Sequence, residues 1–250
     1  MASAPTSIIL TVSGLIGSGK TSVCRELSAL TGWKVVSAGT ILRRMAEDRG
    51  LSVIELNEIA KTDKSIDKLI DDHLISLQSS PEPLIVDSRL AWHFIPNSYK
   101  IHLVVDTAIA ADRVFRAQRS DETYATPADA YAANEQRQTI ENERFQQYYG
   151  IDCEDWRNYH LILDSSSMMP ASLAGKMLEA VNGPAPKGSC WIAPDRLHLT
   201  PGATPDGDPT LAVSKAELLV LQGATLVSAA QQAKAPLIEA RLASYEGQPV

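Results

Sequence analysis

The chain has 250 residues, 44% of them apolar and 21% charged, with a net charge of −7. This is the composition of an ordinary globular protein, long enough for one domain of medium size and a smaller one. The acidic balance argues against a general nucleic-acid partner, and no apolar run approaches the ~20 residues that span a bilayer, so neither nucleic acid nor a membrane is expected as a partner.

The first apolar run, Ile8-Ile9-Leu10-Thr11-Val12, reads as a buried strand. It is not read as a secretory signal, because no basic residue precedes it and it ends in glycines. Gly14-Leu15-Ile16-Gly17-Ser18-Gly19-Lys20-Thr21-Ser22 follows at once and carries G-x-x-x-x-G-K-T, the P-loop pattern of strand, glycine turn and helix. Its backbone N–H groups are expected to surround a nucleotide triphosphate, with the helix dipole behind them. Lys20 is expected to reach the β- and γ-phosphates, and the Thr21 hydroxyl to bind Mg²⁺.

Further strand runs are Trp33–Val36, Leu84–Asp87, Ile101–Val105 and His160–Leu163. Helical stretches between them are Thr40–Arg49, Val53–Ala60, Ser65–Leu77, Ala108–Arg119, Pro127–Tyr148 and Ser172–Val181. Strands alternating with helices predict a parallel sheet covered on both faces, an α/β three-layer sandwich. Thr126 and Pro127 have the positions of an N-cap and first helical residue.

Three groups of residues could serve this site. Arg137, Glu141 and Arg144 stand four and seven apart, on one stripe of a helix. Two guanidinium forks around a carboxylate can hold a phosphate and a sugar hydroxyl, although spacing alone favours an exposed ion pair, a frequent feature of helices. Arg89 lies just past a strand's carboxyl end, where open parallel sheets bind ligands. Asp87 could hold Mg²⁺ through water, or cap the turn. Arg113, Arg116 and Arg119 precede the polar segment Ser120-Asp121-Glu122-Thr123, as arginines of a mobile lid would. Three-residue steps fan them over the helix surface, so not all three can face one phosphate.

Cys24, Cys153 and Cys190 have no metal-ligand spacing and suit reduced thiols in a cytoplasmic protein. The five histidines (His73, His93, His102, His160 and His198) are likewise scattered.

Beyond residue 182 the composition changes. Asn182–Gly188 reads as a linker, and Pro201 to Pro209 as a proline- and glycine-rich loop. Apolar stretches at Trp191-Ile192, Leu218–Leu221 and Pro236–Leu242, with a helix over Leu226–Lys234, suggest a small α+β module. The expected division is therefore 1–182 and 183–250. Too small to bury much alone, the module is expected to pack on the main domain or on a second copy in a homodimer. Trp191–Leu197 with Leu219–Ala230 is faintly similar to ParB-like folds, but Gln222-Gly223-Ala224-Thr225 lacks their charged residues.

Size favours a small kinase among P-loop proteins, and no N-K-x-D segment points to a GTPase. From about residue 8 to 182 the chain resembles the short, archaeal-type cytidylate kinase family. The resemblance rests on the P-loop and on Val36-Ser37-Ala38-Gly39-Thr40-Ile41-Leu42-Arg43-Arg44-Met45-Ala46-Glu47, Ser65-Ile66-Asp67 and Leu84–Ala91. It continues through the Arg137/Glu141/Arg144 helix, Tyr149-Gly150-Ile151-Asp152 and Tyr159–Asp164. It implies a P-loop kinase fold and transfer of a phosphoryl group from ATP, with Mg²⁺, to CMP or dCMP. It further implies that Arg43 and Arg144 bind the acceptor phosphate, that Arg89 lies near its base, and that Arg137 and Glu141 lie at its sugar. Arg113 and Arg116 would belong to the lid. Two departures concern the acceptor. Ser88 stands where the family usually has Gly, and Arg113 lies one position further from Asp106 than family lids place their arginine.

Overall fold

The computed structural model describes residues 8–117, 124–183, 187–214 and 217–250. In chain order, β1 (Ile9–Gly14) leads to α1 (Lys20–Thr31), β2 (Lys34–Ser37), α2 (Ala38–Glu47), α3 (Val53–Ala60) and α4 (Lys64–Ser76). Next come β3 (Leu84–Asp87), the short α5 (Ala91–Phe94), β4 (Tyr99–Val104), α6 (Thr107–Ala117) and α7 (Pro127–Tyr149). β5 (Leu161–Asp164) and α8 (Pro170–Asn182) complete the alternating part. Arg119 and the segment Ser120–Thr123 lie outside the described residues.

β2, β3, β1, β4 and β5 lie side by side in that order, all parallel. β1 is central, so the chain crosses the sheet between β1 and its neighbours and leaves a crevice at the strands' carboxyl ends. Both faces are covered. Leu10 and Val12 of β1 pack with Ile101, Leu103, Leu161 and Leu163 against Val23 and Leu27 of α1 and Leu173 and Met177 of α8. Ile9 faces the other way, with Leu84, Val86, Leu74 and Ile95. Period-two alternation with both faces apolar marks strands buried on two sides. The chain thus forms the predicted three-layer α/β sandwich.

The helix ends follow local chemistry. Thr126 and Asp129 form a reciprocal capping box at the start of α7, and Gly150 ends it with φ 67°. α1 differs: Gly19, at φ 81°, stands at its N-cap and offers no side-chain acceptor. The first N–H groups of α1 therefore face the crevice without a cap.

The C-terminal part adds β6 (Ser189–Ile192), β7 (Leu197–Thr204), β8 (Thr210–Ser214), β9 (Glu217–Gln222), α9 (Ala224–Gln232), β10 (Ile238–Tyr245) and β11 (Gln248–Pro249). β6 pairs parallel with β5, and the sheet continues through β10, β8 and β9 to β7. The segments expected as separate units, 1–182 and 183–250, thus share one sheet. They also share a core, in which Trp92, Trp156, Tyr159 and Ile162 meet Ile192, Leu211, Val220 and Val227. The expected loop beginning at Pro201 is instead part of edge strand β7. An edge strand tolerates proline because one row of its N–H groups has no strand to pair with, and the β7–β9 register shifts between Leu199 and Thr204.

Candidate active site

The P-loop is shaped by glycines at conformations other residues avoid. Gly14 (φ 145°) passes so close to the Leu103 carbonyl that a Cβ could not be accommodated, and a Cβ on Gly17 (φ 78°) would lie 2.5 Å from the Ala110 carbonyl of α6. Lys20 Nζ donates to the carbonyls of Gly14 at 2.7 Å and Leu15 at 3.0 Å. Burial, with Arg89 nearby, lowers the Lys20 ammonium to about 8. Thr21 Oγ1 donates to Asp87 Oδ2 at 2.8 Å, tying α1 to the end of β3. Ser18 Oγ is buried without a hydrogen-bond partner among the described residues.

A cavity of about 450 Å³ opens beside this loop. Ile16 through Ser22 line it, together with Arg43, Arg89, Arg113, Arg137 and Arg144. In a chain of net charge −7, the cavity gathers Lys20 and these five arginines beside the carboxylates of Asp67, Asp71, Asp87 and Glu141, a local excess of positive charge. Gly14 and Leu15 lie behind the loop, beside a small void shared with Arg89 and His102. Burial, with Lys20 and Arg89 close, lowers His102 to about 3 and keeps it neutral.

Glu141 is the hub of the arginine cluster. Its Oε1 accepts from Arg137 Nε at 2.9 Å, and its Oε2 lies 2.8 Å from Arg89 Nη1. Burial pushes Glu141 up, but Arg89 and Arg137 outweigh it and hold the carboxyl down at about 2. Arg89 Nη2 is buried without a hydrogen-bond partner among the described residues, on a side chain that lines the cavity. Arg144, four residues on, is 4% exposed and donates to Asn57 Oδ1 at 2.8 Å. Its Nε lies 3.2 Å from Asp67 Oδ2, out of line for a hydrogen bond. Burial raises Asp67 to about 6 despite that neighbour.

The remaining expected residues divide. Arg43 lines the cavity and donates to Thr40 Oγ1 at 3.3 Å. Arg113 reaches in from α6 and donates to the Ser165 carbonyl at 2.6 Å. Arg116 turns outward, 77% exposed, and pairs with Asp112 at 2.9 Å. The fan expected of three-residue spacing therefore leaves one of these two at the cavity.

Sequence reasoning did not select Asp67 and Asp71 of α4 as site residues, although both line the cavity. The available signal was two acids at i,i+4, which repel on a helix unless something opposes them. Here Arg144 lies beside Asp67, and Tyr149 donates to Asp71 at 2.6 Å. The wall formed by Ser165, Met168, Met169, Pro170 and Leu173 carries no sequence signal beyond its place after β5.

A P-loop at the head of a parallel sheet, with a basic cavity at the strands' carboxyl ends, defines a P-loop kinase fold. A solved structure of an uncharacterized protein from Eubacterium ventriosum superposes with a TM-score of 0.55 at 14% identity, covering 71% of this chain and 99% of that one. Residues 9–167 match the model of the cytidylate kinase-like family, and the chain belongs to that family. It is 34% identical over 178 residues to a cytidylate kinase of Halobacterium salinarum, covering 70% of this chain and 90% of that protein. It is 38% identical over 159 residues to a cytidylate kinase of Methanosarcina acetivorans, covering 62% and 86%.

Proposed function

We propose that this protein transfers the γ-phosphoryl group of ATP to the phosphate of CMP or dCMP. The observation that carries the reading is a single cavity lined by the P-loop and by the Glu141-centred arginines. Two phosphate-bearing ligands can meet there, and family membership supports cytidine nucleotides as the acceptors.

In this reading the N–H groups of Ile16 through Ser22, the part of the loop that lines the cavity, cradle the ATP phosphates, and Lys20 leaves the Gly14 and Leu15 carbonyls to reach them. Arg43, Arg89, Arg137 and Arg144 bind the acceptor, with Glu141 holding two of those forks and accepting from its sugar. Arg113 neutralises charge on the transferring group, and Arg116 joins it when the lid closes. The acceptor oxygen is already anionic, so no general base is needed; catalysis rests on alignment and charge neutralisation. The Thr21 hydroxyl and Asp87 carboxylate are hard oxygen donors already 2.8 Å apart, a pair suited to Mg²⁺. When bound, the ion would screen the phosphate charge.

The test is an acceptor screen by coupled ADP release. Turnover is expected with CMP and dCMP and to be lost in Lys20→Ala. Slow ATP turnover indifferent to every acceptor would refute the reading.

A further inference from the structure

Asp164, the last residue of β5, is fully buried at 0% exposure. A carboxylate in that position must be compensated by donors. Its Oδ1 accepts from Ser166 N at 2.9 Å and Ser166 Oγ at 2.6 Å, both local. Its Oδ2 accepts from Arg196 Nη1 at 2.9 Å and Ala193 N at 3.2 Å. Those two donors come from the segment between β6 and β7, beyond residue 167 where the family match ends. A second tie runs from Ser167 Oγ to the Pro236 carbonyl at 2.9 Å.

The loop held in this way reaches into the cavity. Ser166 Oγ accepts from Asp106 N at 2.9 Å, and Asp106 Oδ1 caps the start of α6 through Ala108 N and Ile109 N. Arg113 of α6 donates to the Ser165 carbonyl at 2.6 Å and to Ser165 Oγ at 3.2 Å. Ser165, Met168, Met169 and Pro170 are cavity wall. This wall adjoins the P-loop, because Gly17 abuts Ala110 of α6 and Leu173 shares a core with Val23 and Leu27 of α1. The Arg89, Glu141 and Arg144 cluster belongs to other elements.

We infer that the C-terminal extension is a working part of the donor half of the site. Arg196 is a positioning residue that, through Asp164, fixes the 164–170 loop and with it Arg113. The inference rests on the proposed ATP reading. It assigns the extension a task in binding and orienting the donor nucleotide, separate from any partner. A charge-assisted bond to a buried carboxylate is strong enough to set the geometry of a short loop, and this one joins the C-terminal extension to the strand end that leads directly into the cavity wall.

The test compares Arg196→Gln, Arg196→Lys and Ser167→Ala with the full-length parent, measuring kcat and the KM for ATP and for CMP separately. Arg196→Gln is expected to raise the KM for ATP and lower kcat by roughly three- to thirtyfold together, with the KM for CMP within about twofold. Arg196→Lys is expected to recover part of that loss. If Arg196→Gln does not fold, Ser167→Ala decides, since it removes one exposed hydrogen bond only; a selective rise in the KM for ATP supports the inference. Unchanged constants in a folded variant, or equal rises in both KM values, overturn it. A parent protein that transfers no phosphoryl group refutes the ATP reading instead, so the two failures are distinguishable.

Discussion

Thr21 donates to Asp87 across 2.8 Å, joining the first turn of α1 to the carboxyl end of β3. The bond keeps a hydroxyl and a carboxylate side by side at the mouth of the P-loop before any ligand arrives. Thr21→Ala leaves the loop's glycines untouched and removes one of the two oxygens. It is expected to weaken ATP binding in the presence of Mg²⁺ by about tenfold or more while barely changing binding in EDTA. Calorimetric titrations with and without the ion check this.

Lys20, lowered to about 8, is only partly protonated in the free protein at that pH. Triphosphate oxygens favour its charged form, so ATP binding near pH 8 is expected to take up a fraction of a proton. Uptake should vanish at pH 6, where Lys20 is already charged, and in Lys20→Ala at either pH. Binding enthalpies in buffers of different ionisation enthalpy measure it directly.

Buried Glu141 compensates two partly buried guanidinium groups at once. Glu141→Gln keeps the shape but removes the charge, leaving Arg89 and Arg137 to repel each other. A loss of about 2–4 kcal/mol in folding stability is expected, the range for breaking a buried charged pair while some hydrogen bonding survives. The KM for CMP should rise more than that for ATP. Denaturant melts and steady-state kinetics test both halves.

Asp67 shifts in the opposite direction from Glu141. Its carboxyl lies near 6 in the folded chain, above its ordinary value of 3.8. The native state therefore holds the proton that the unfolded chain releases, so the stability from this group is present below pH ~4 and lost as pH rises through ~6. Glu141, held near 2, contributes stability above its ordinary 4.5 that is lost as pH falls toward 2. Melting temperatures of Asp67→Asn should vary less between pH 4.5 and 7 than those of the parent.

Gly17→Ala would place a methyl 2.5 Å from the Ala110 carbonyl at a backbone φ of 78°. The loop and α6 must then separate, at a cost of about 1–3 kcal/mol for overpacking and a further ~1 kcal/mol for the left-handed residue. Loss of ATP affinity should exceed loss of CMP affinity, since only the donor loop moves. Paired KM measurements decide.

What the sequence displayed was local. Gly14 to Thr21 is a turn whose geometry is dictated by adjacent residues, and the Arg137/Glu141/Arg144 stripe follows from helical period alone. The partner of Glu141 across the site, Arg89, stands 52 positions away, and no pattern links the two. Asp67 and Arg144 meet only because α4 and α7 flank one cavity. Pro201 argued for a loop because a proline breaks a paired strand, and only the sheet's order reveals that β7 is an edge. The shared sheet was hidden for a similar reason: β6 is four residues long, and its pairing with β5 is a tertiary fact. The Arg196–Asp164 bond could not be seen from either residue's neighbours.

Phosphorus NMR of the protein with ATP, CMP and Mg²⁺ tests the central claim most directly. Signals of ADP and CDP should grow in equal amounts, with inorganic phosphate absent. Growth of inorganic phosphate in place of CDP, or an unchanged spectrum, would contradict it.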